Sequence, residues 1–145
     1  MKFKFILILI FISLMSFSKK EKELIKQRIK IENHVLIIDI PNDQHEIGRY
    51  IGGHGISFDI KYPDNSLIFY LDDNGLVSPN YEYYPTINFK TLIGEEPKDT
   101  TISGEQPKGK FWKEKFFNGY SIGYNNVPKE KKDIFDKSLA TFKKK

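Results

Sequence analysis

His34, His45 and His54 share a stretch of the chain with Asp39, Asp43, Glu46 and Asp59. Imidazoles and carboxylates are zinc ligands, so a hydrolytic metal centre is the first chemistry to weigh. No HExxH pair sets two imidazoles one helical turn apart, and the spacing fits no other metal motif. His34 reads as a strand-end residue, His45 belongs to a polar turn, and His54 follows two glycines. These are ordinary loop and surface positions unless the fold brings them together.

The other reactive residue types are equally scattered. Gly52-Gly53-His54-Gly55 precedes a strand, whereas a dinucleotide loop joins a strand to a helix, so it reads as a connector. Asp72-Asp73-Asn74-Gly75 opens like a calcium loop, but Leu76 occupies the next ligand position and the closing Glu is missing at the required spacing. That leaves a turn. Ser57 lies in GHGISFD, which lacks the G-x-S-x-G elbow that exposes a nucleophile. Glu95 and Glu96 adjoin Pro97 and Lys98 in a loop, with no sign that they face a cleft as glycosidase carboxylates do. No motif pairs a nucleophile with a base, and none holds a cofactor.

A different chemistry is suggested by Tyr81, Tyr83 and Tyr84, between Pro79 and Pro85. Tyrosine buries a large ring while keeping a polar tip, which suits a contact surface. The competing expectation is that the rings cover the sheet edge.

The chain has 145 residues and no cysteine. Disulfides, thiol catalysis and cysteine zinc sites are therefore excluded, and packing must hold the fold. Lys2 and Lys4 precede an apolar run at 5–15, broken only by Ser13, and Ser16-Phe17-Ser18 offers small residues for cleavage. Residues 1–18 read as a secretory signal peptide, leaving 19–145 as one domain that begins at Lys19. The run is too short for a membrane span, which needs about 20 apolar residues. The expected location is periplasmic or secreted. Loss of Lys2 and Lys4 lowers the net charge from +4 to +2. The remaining positives read as scattered among Glu and Asp, with Lys143, Lys144 and Lys145 as a terminal tail. No basic stripe interleaves with exposed aromatics, so nucleic acid is not an expected partner.

Residues 109–142 supply the elements that organise the rest. Asn118-Gly119 between aromatic-rich runs predicts a two-residue hairpin turn of type I′, pairing Phe117 with Tyr120, Lys115 with Ile122 and Lys113 with Tyr124. One face then carries Phe111, Lys113, Lys115, Phe117, Tyr120, Ile122 and Tyr124 and is expected to be core. The other carries Trp112, Glu114, Phe116, Ser121, Gly123 and Asn125, with Trp112 and Phe116 expected to lie over Gly123 and Ser121. Pro128 opens a helix whose Ile134, Phe135, Ser138, Leu139 and Phe142 form one stripe.

Upstream, residues 19–30 suit a short helix or a tether, and 29–40 one strand. Residues 44–55 are ambiguous, with Ile47, Tyr50 and Ile51 at helical spacing. Residues 56–62 and 66–71 predict a hairpin turning at Pro63-Asp64-Asn65. Residues 87–93 suit a strand or short helix, and 100–103 a strand. The sum is α+β: an antiparallel sheet built from hairpins with a C-terminal helix on one face.

Phe58-Asp59-Ile60-Lys61-Tyr62-Pro63-Asp64 resembles the F-x-I-x-Y-P strand of PsbP/Mog1-like domains of small secreted bacterial proteins, and the ending FDKSLATF is similar to theirs. Asn65 and Ser66 stand where that family often has a tryptophan. The resemblance implies an α/β/α sandwich and a binding or accessory role without shared catalytic residues. The sequence is therefore read as a non-enzyme: an exported binding or accessory protein with a protein partner. An immunity or inhibitor protein against an exported toxin or hydrolase is the alternative, and a metal-dependent hydrolase is the third reading.

Overall fold

The computed structural model describes residues 23–52, 55–72, 78–84 and 99–145. They form two antiparallel sheets and one α-helix, the expected α+β class. The larger sheet has the strand order β3-β4-β5-β8-β7-β6. Its strands are β3 (Glu46–Gly52), β4 (Gly55–Lys61), β5 (Leu67–Leu71), β6 (Thr100–Gln106), β7 (Lys110–Phe117) and β8 (Tyr120–Pro128). The smaller sheet is β1 (Leu24–Ile31), β2 (His34–Pro41) and β9 (Lys143–Lys144), in that order.

The central hairpin has the register expected from its sequence: Lys113 faces Tyr124, Lys115 faces Ile122, and Phe117 faces Tyr120. Its turn is not type I′, because Gly119 alone adopts positive φ (81°) and Asn118 does not. Lower down, the register slips between Phe111 and Lys113, where β8 carries an extra residue and Asn126 takes φ 58°. This bulge keeps Tyr124 and Val127 on the same face, where both are fully buried.

That face is the main core. Phe58, Ile60, Ile68, Tyr70, Ile122, Tyr124 and Val127 meet Ile29, Ile31, Leu36, Ile38 and Ile40 from the small sheet. Helix α1 (Lys132–Ala140) lies in the same layer and adds Phe135 and Leu139. A 3-10 turn at Lys129–Lys131 intervenes between Pro128 and α1, so proline precedes the helix by a turn. The helical stripe is buried at Phe135, Ser138 and Leu139 and half-buried at Ile134 and Phe142.

Several sequence expectations are corrected. Residues 24–31 form a strand, not a helix or tether, since Ile25, Ile29 and Ile31 satisfy a period of two with Lys26, Arg28 and Lys30. The single strand expected at 29–40 is parts of two strands, broken where Glu32 takes φ 40°. Residues 46–52 form an edge strand against β4. Lys143 to Lys145 are not a free tail: they pair with Val35, Leu36 and Ile37 of β2. The expected hairpin of β4 and β5 forms, and β6 extends to Gln106. The predicted element at 87–93 lies outside the described residues. The helix shares its face with the small sheet, so the described residues do not make the α/β/α sandwich the resemblance implied.

Candidate functional site

The second face of the large sheet is also covered. Trp112 and Phe116 project from β7 and pack against Tyr83 and Tyr84 of segment 78–84. Trp112 lies over Gly104 of β6, not over Gly123 as expected: a Cβ at Gly104 would come within 2.8 Å of the indole nitrogen. Gly123 instead accommodates Phe69, whose ring would be 2.6 Å from an added Cβ.

Between these rings sits Glu114, at 0% exposure. Its Oε2 accepts from the Ser78 hydroxyl at 2.6 Å and the Tyr84 hydroxyl at 2.5 Å, with a longer 3.4 Å contact from the Asn80 amide. Oε1 accepts from the Ser121 hydroxyl at 2.8 Å. Burial pushes this carboxyl above the usual glutamate range, against the pull of hydrogen bonds from Ser78, Tyr84, Ser121 and Asn80. Burial, with the charge of Glu114 beside it, likewise raises the Tyr84 phenol far above its ordinary value.

Asn80 is fully buried and holds the segment from a second side. It donates to the Tyr124 carbonyl at 3.3 Å, and its Oδ1 accepts from the Asn125 amide at 2.8 Å. Asn125 also donates to the Pro79 carbonyl at 3.1 Å. Residues 78–84 are thus fastened at Ser78, Pro79, Asn80 and Tyr84. Within this anchored segment Tyr83 and Tyr84 are half-buried, while Tyr81 is 46% exposed and its ring tilts towards Tyr84 at 6.1 Å. The three tyrosines are therefore split: two help cover the sheet and one faces outward.

His34 and His45 have separate neighbourhoods. His34 lies 3.7 Å from Asp72, which also binds Lys144 at 2.8 Å and accepts from Tyr70. His45 contacts the Asp43 carbonyl at 2.8 Å and its ring leans on Tyr62. His54 lies outside the described residues, as do Asp73, Asn74, Gly75, Glu95 and Glu96. Among the described residues, no group of three or more His, Asp or Glu is placed to hold a metal. Asp59 is buried beside Lys61 at 3.2 Å, with its Oδ1 over Gly48 and, among the described residues, without a hydrogen-bond donor.

Two features escaped the sequence reading. Glu114 stands between Lys113 and Lys115 in a charged triplet that reads as solvent-facing, and the covering segment makes it buried. Four of the positives read as scattered share one face. Lys26, Arg28 and Lys30 occupy one face of β1, and Lys143 joins that face from β9. Their period of two was the available signal.

Comparison with protein-family models, curated proteins and solved structures returned no match.

Proposed function

We propose that the chain is an exported, non-catalytic binding or accessory protein that meets a protein partner through the segment carrying Tyr81. The observation that carries this reading is the anchored tyrosine segment. Ser78, Asn80 and Tyr84 are fixed to the sheet by hydrogen bonds, and Tyr81 stands half-exposed among them. A ring presented on a pre-ordered segment loses little freedom on association, which favours binding. Tyrosine is also among the residues enriched at interface centres.

The chemistry of the anchoring group fits this use. Glu114 has its oxygens occupied by internal donors and is shielded from any substrate, so it acts as a fastening point. The likeness to PsbP/Mog1-like domains, which implies an accessory role, points the same way. The leader-like residues 1–18 support export.

The test is affinity capture from envelope and culture fractions, using the exported form as bait beside Tyr81→Ala. The reading expects a partner that the wild type retains and the variant loses, with matching thermal melts. Equal recovery by both baits, or recovery of nothing, would remove the tyrosine segment as the binding surface.

A further inference from the structure

The small sheet turns Ile25, Ile29, Ile31, Leu36, Ile38 and Ile40 to the core and its other face outward. On that outer face β1 carries Lys26, Arg28 and Lys30, all exposed, and β9 carries Lys143, also exposed. Between them β2 places Val35, Ile37 and Asp39, each half-buried. The register makes rows across the strands. Arg28, Ile37 and Lys143 form one, Lys30 and Val35 the next, and Lys26 and Asp39 the third.

Alternate residues along a strand are about 6.8 Å apart, and β1 and β9 are two strand spacings apart, about 9.6 Å. The cations therefore form a two-dimensional array around an aliphatic centre. Among the described residues none of the four has an ion-pair partner, although Lys61, Lys113, Lys131, Lys132, Lys137 and Lys144 elsewhere all do. The acids in reach are Asp39 beside Lys26, Glu32 at the hairpin tip, and Glu23, which pairs with Lys137 at 3.7 Å.

We propose that this face docks the protein onto an anionic lipid surface. Each cation near such a surface adds attraction that salt screens. A planar carpet of charge matches a planar array, whereas a single-track polymer would engage one column and leave the other unused. The face has Val35 and Ile37 at its centre and no aromatic ring, so it offers no stacking platform for bases. Half-buried aliphatics flanked by long basic stems suit the headgroup boundary, where the stems stay extended and the ammonium groups reach phosphate. This surface is separate from the tyrosine segment, so the two proposals stand or fall independently.

The test is co-sedimentation of the full chain with vesicles of phosphatidylcholine alone and of phosphatidylcholine mixed with phosphatidylglycerol. The quantity read is the ratio of the two partition coefficients, compared between proteins that share the same N-terminal run, so that a change in it reports the substituted face. The wild type should favour the anionic vesicles, and added salt should erase the preference. The double variant Lys26→Gln, Arg28→Gln should lower the ratio about thirtyfold. Lys129→Gln, an exposed charge at the 3-10 turn, should leave it unchanged. All three proteins should melt alike, since these side chains are solvent-facing. A wild-type ratio near one would overturn the proposal, as would a double variant that keeps the ratio. So would a fall of about fivefold with Lys129→Gln, the same loss per charge, which would mean net charge alone is sensed. Loss of oligothymidylate binding in the double variant with the vesicle ratio intact would reassign the face to nucleic acid.

Discussion

The Tyr84 hydroxyl donates to Glu114 Oε2 across 2.5 Å, joining a covering segment to a strand 30 residues further along the chain. No lysine or arginine shares this carboxylate among the described residues. Its partners are Ser78, Asn80, Tyr84 and Ser121, neutral donors all. Hydroxyls can rotate to donate or accept, so the cluster can adapt to either protonation state of the acid.

That balance sets a pH dependence of unusual sign. Glu114 has a folded-state pKa raised by burial, so the folded protein keeps a proton that the unfolded chain releases. Its contribution to stability is therefore greatest below the ordinary glutamate pKa. It declines as pH rises from there to the folded value, and is constant beyond. Glu114→Gln keeps an acceptor towards Ser78 and Tyr84 and presents an amide to Ser121, which can accept. The variant should equal or exceed the wild type at neutral pH and lose the decline. Glu114→Ala should cost about 3 kcal/mol, because the Ser78, Tyr84 and Ser121 hydroxyls lose their shared acceptor and Asn80 a weaker one. Urea midpoints across the range from mild acid to neutrality check both; a wild type and a Gln variant that run parallel would refute the shift.

Gly104 gives a second prediction. It faces Trp112 across the β6–β7 pairing, and the indole occupies the volume a side chain would need. Gly104→Ala should displace the ring, disturb its contacts with Tyr83 and Tyr84, and cost about 1–3 kcal/mol. The sequence contains one tryptophan, so its fluorescence and near-ultraviolet circular dichroism report the displacement directly. An unchanged spectrum with unchanged stability would mean the site relaxes without strain.

These residues also mark how far the sequence was readable. The β7–β8 register was legible from the turn as far as Lys113 because Asn118-Gly119 fixes a two-residue loop and alternation follows, while the bulge beyond it was not. The helix was legible from Phe135, Ser138 and Leu139 on one stripe. The turn at Glu32 was missed because no glycine or proline marks it and the residue adopts left-handed geometry against its preference, although the polar Glu32-Asn33 break was the available signal. Lys143 to Lys145 read as a tail because a strand of lysines is justified only by the partner waiting at Val35 to Ile37. Trp112 was assigned to the wrong glycine because β6 had to be placed beside β7 before Gly104 came into range. Glu114 was illegible for the same kind of reason: its burial depends on residues 78–84 returning over the sheet, a long-range contact that local patterning does not encode.

The final prediction concerns how α1 is tied to the hairpin. Asp136 on α1 pairs with Lys113 of β7 and with Lys132 one turn earlier at 2.7 Å, and accepts from the Tyr124 hydroxyl at 3.1 Å. Partial burial pushes its pKa up, but Lys113, Lys132 and Tyr124 outweigh that and hold it below the usual aspartate range. A depressed carboxylate stabilises the fold at every pH above its unfolded value, about 3.9, and that contribution disappears as pH falls through the folded value. Asp136→Asn should therefore cost about 1 kcal/mol at neutral pH, a modest figure because the group is a quarter exposed and solvent screens it. The deficit should shrink to nothing in strong acid, where the wild-type carboxyl is protonated as well. Lys113→Met in both backgrounds completes a cycle that isolates the strand–helix pair from the Lys132 contribution. Stability curves for wild type and Asp136→Asn that stay a fixed distance apart down to low pH would show that the aspartate acts through packing, with its charge irrelevant to holding the helix on the sheet.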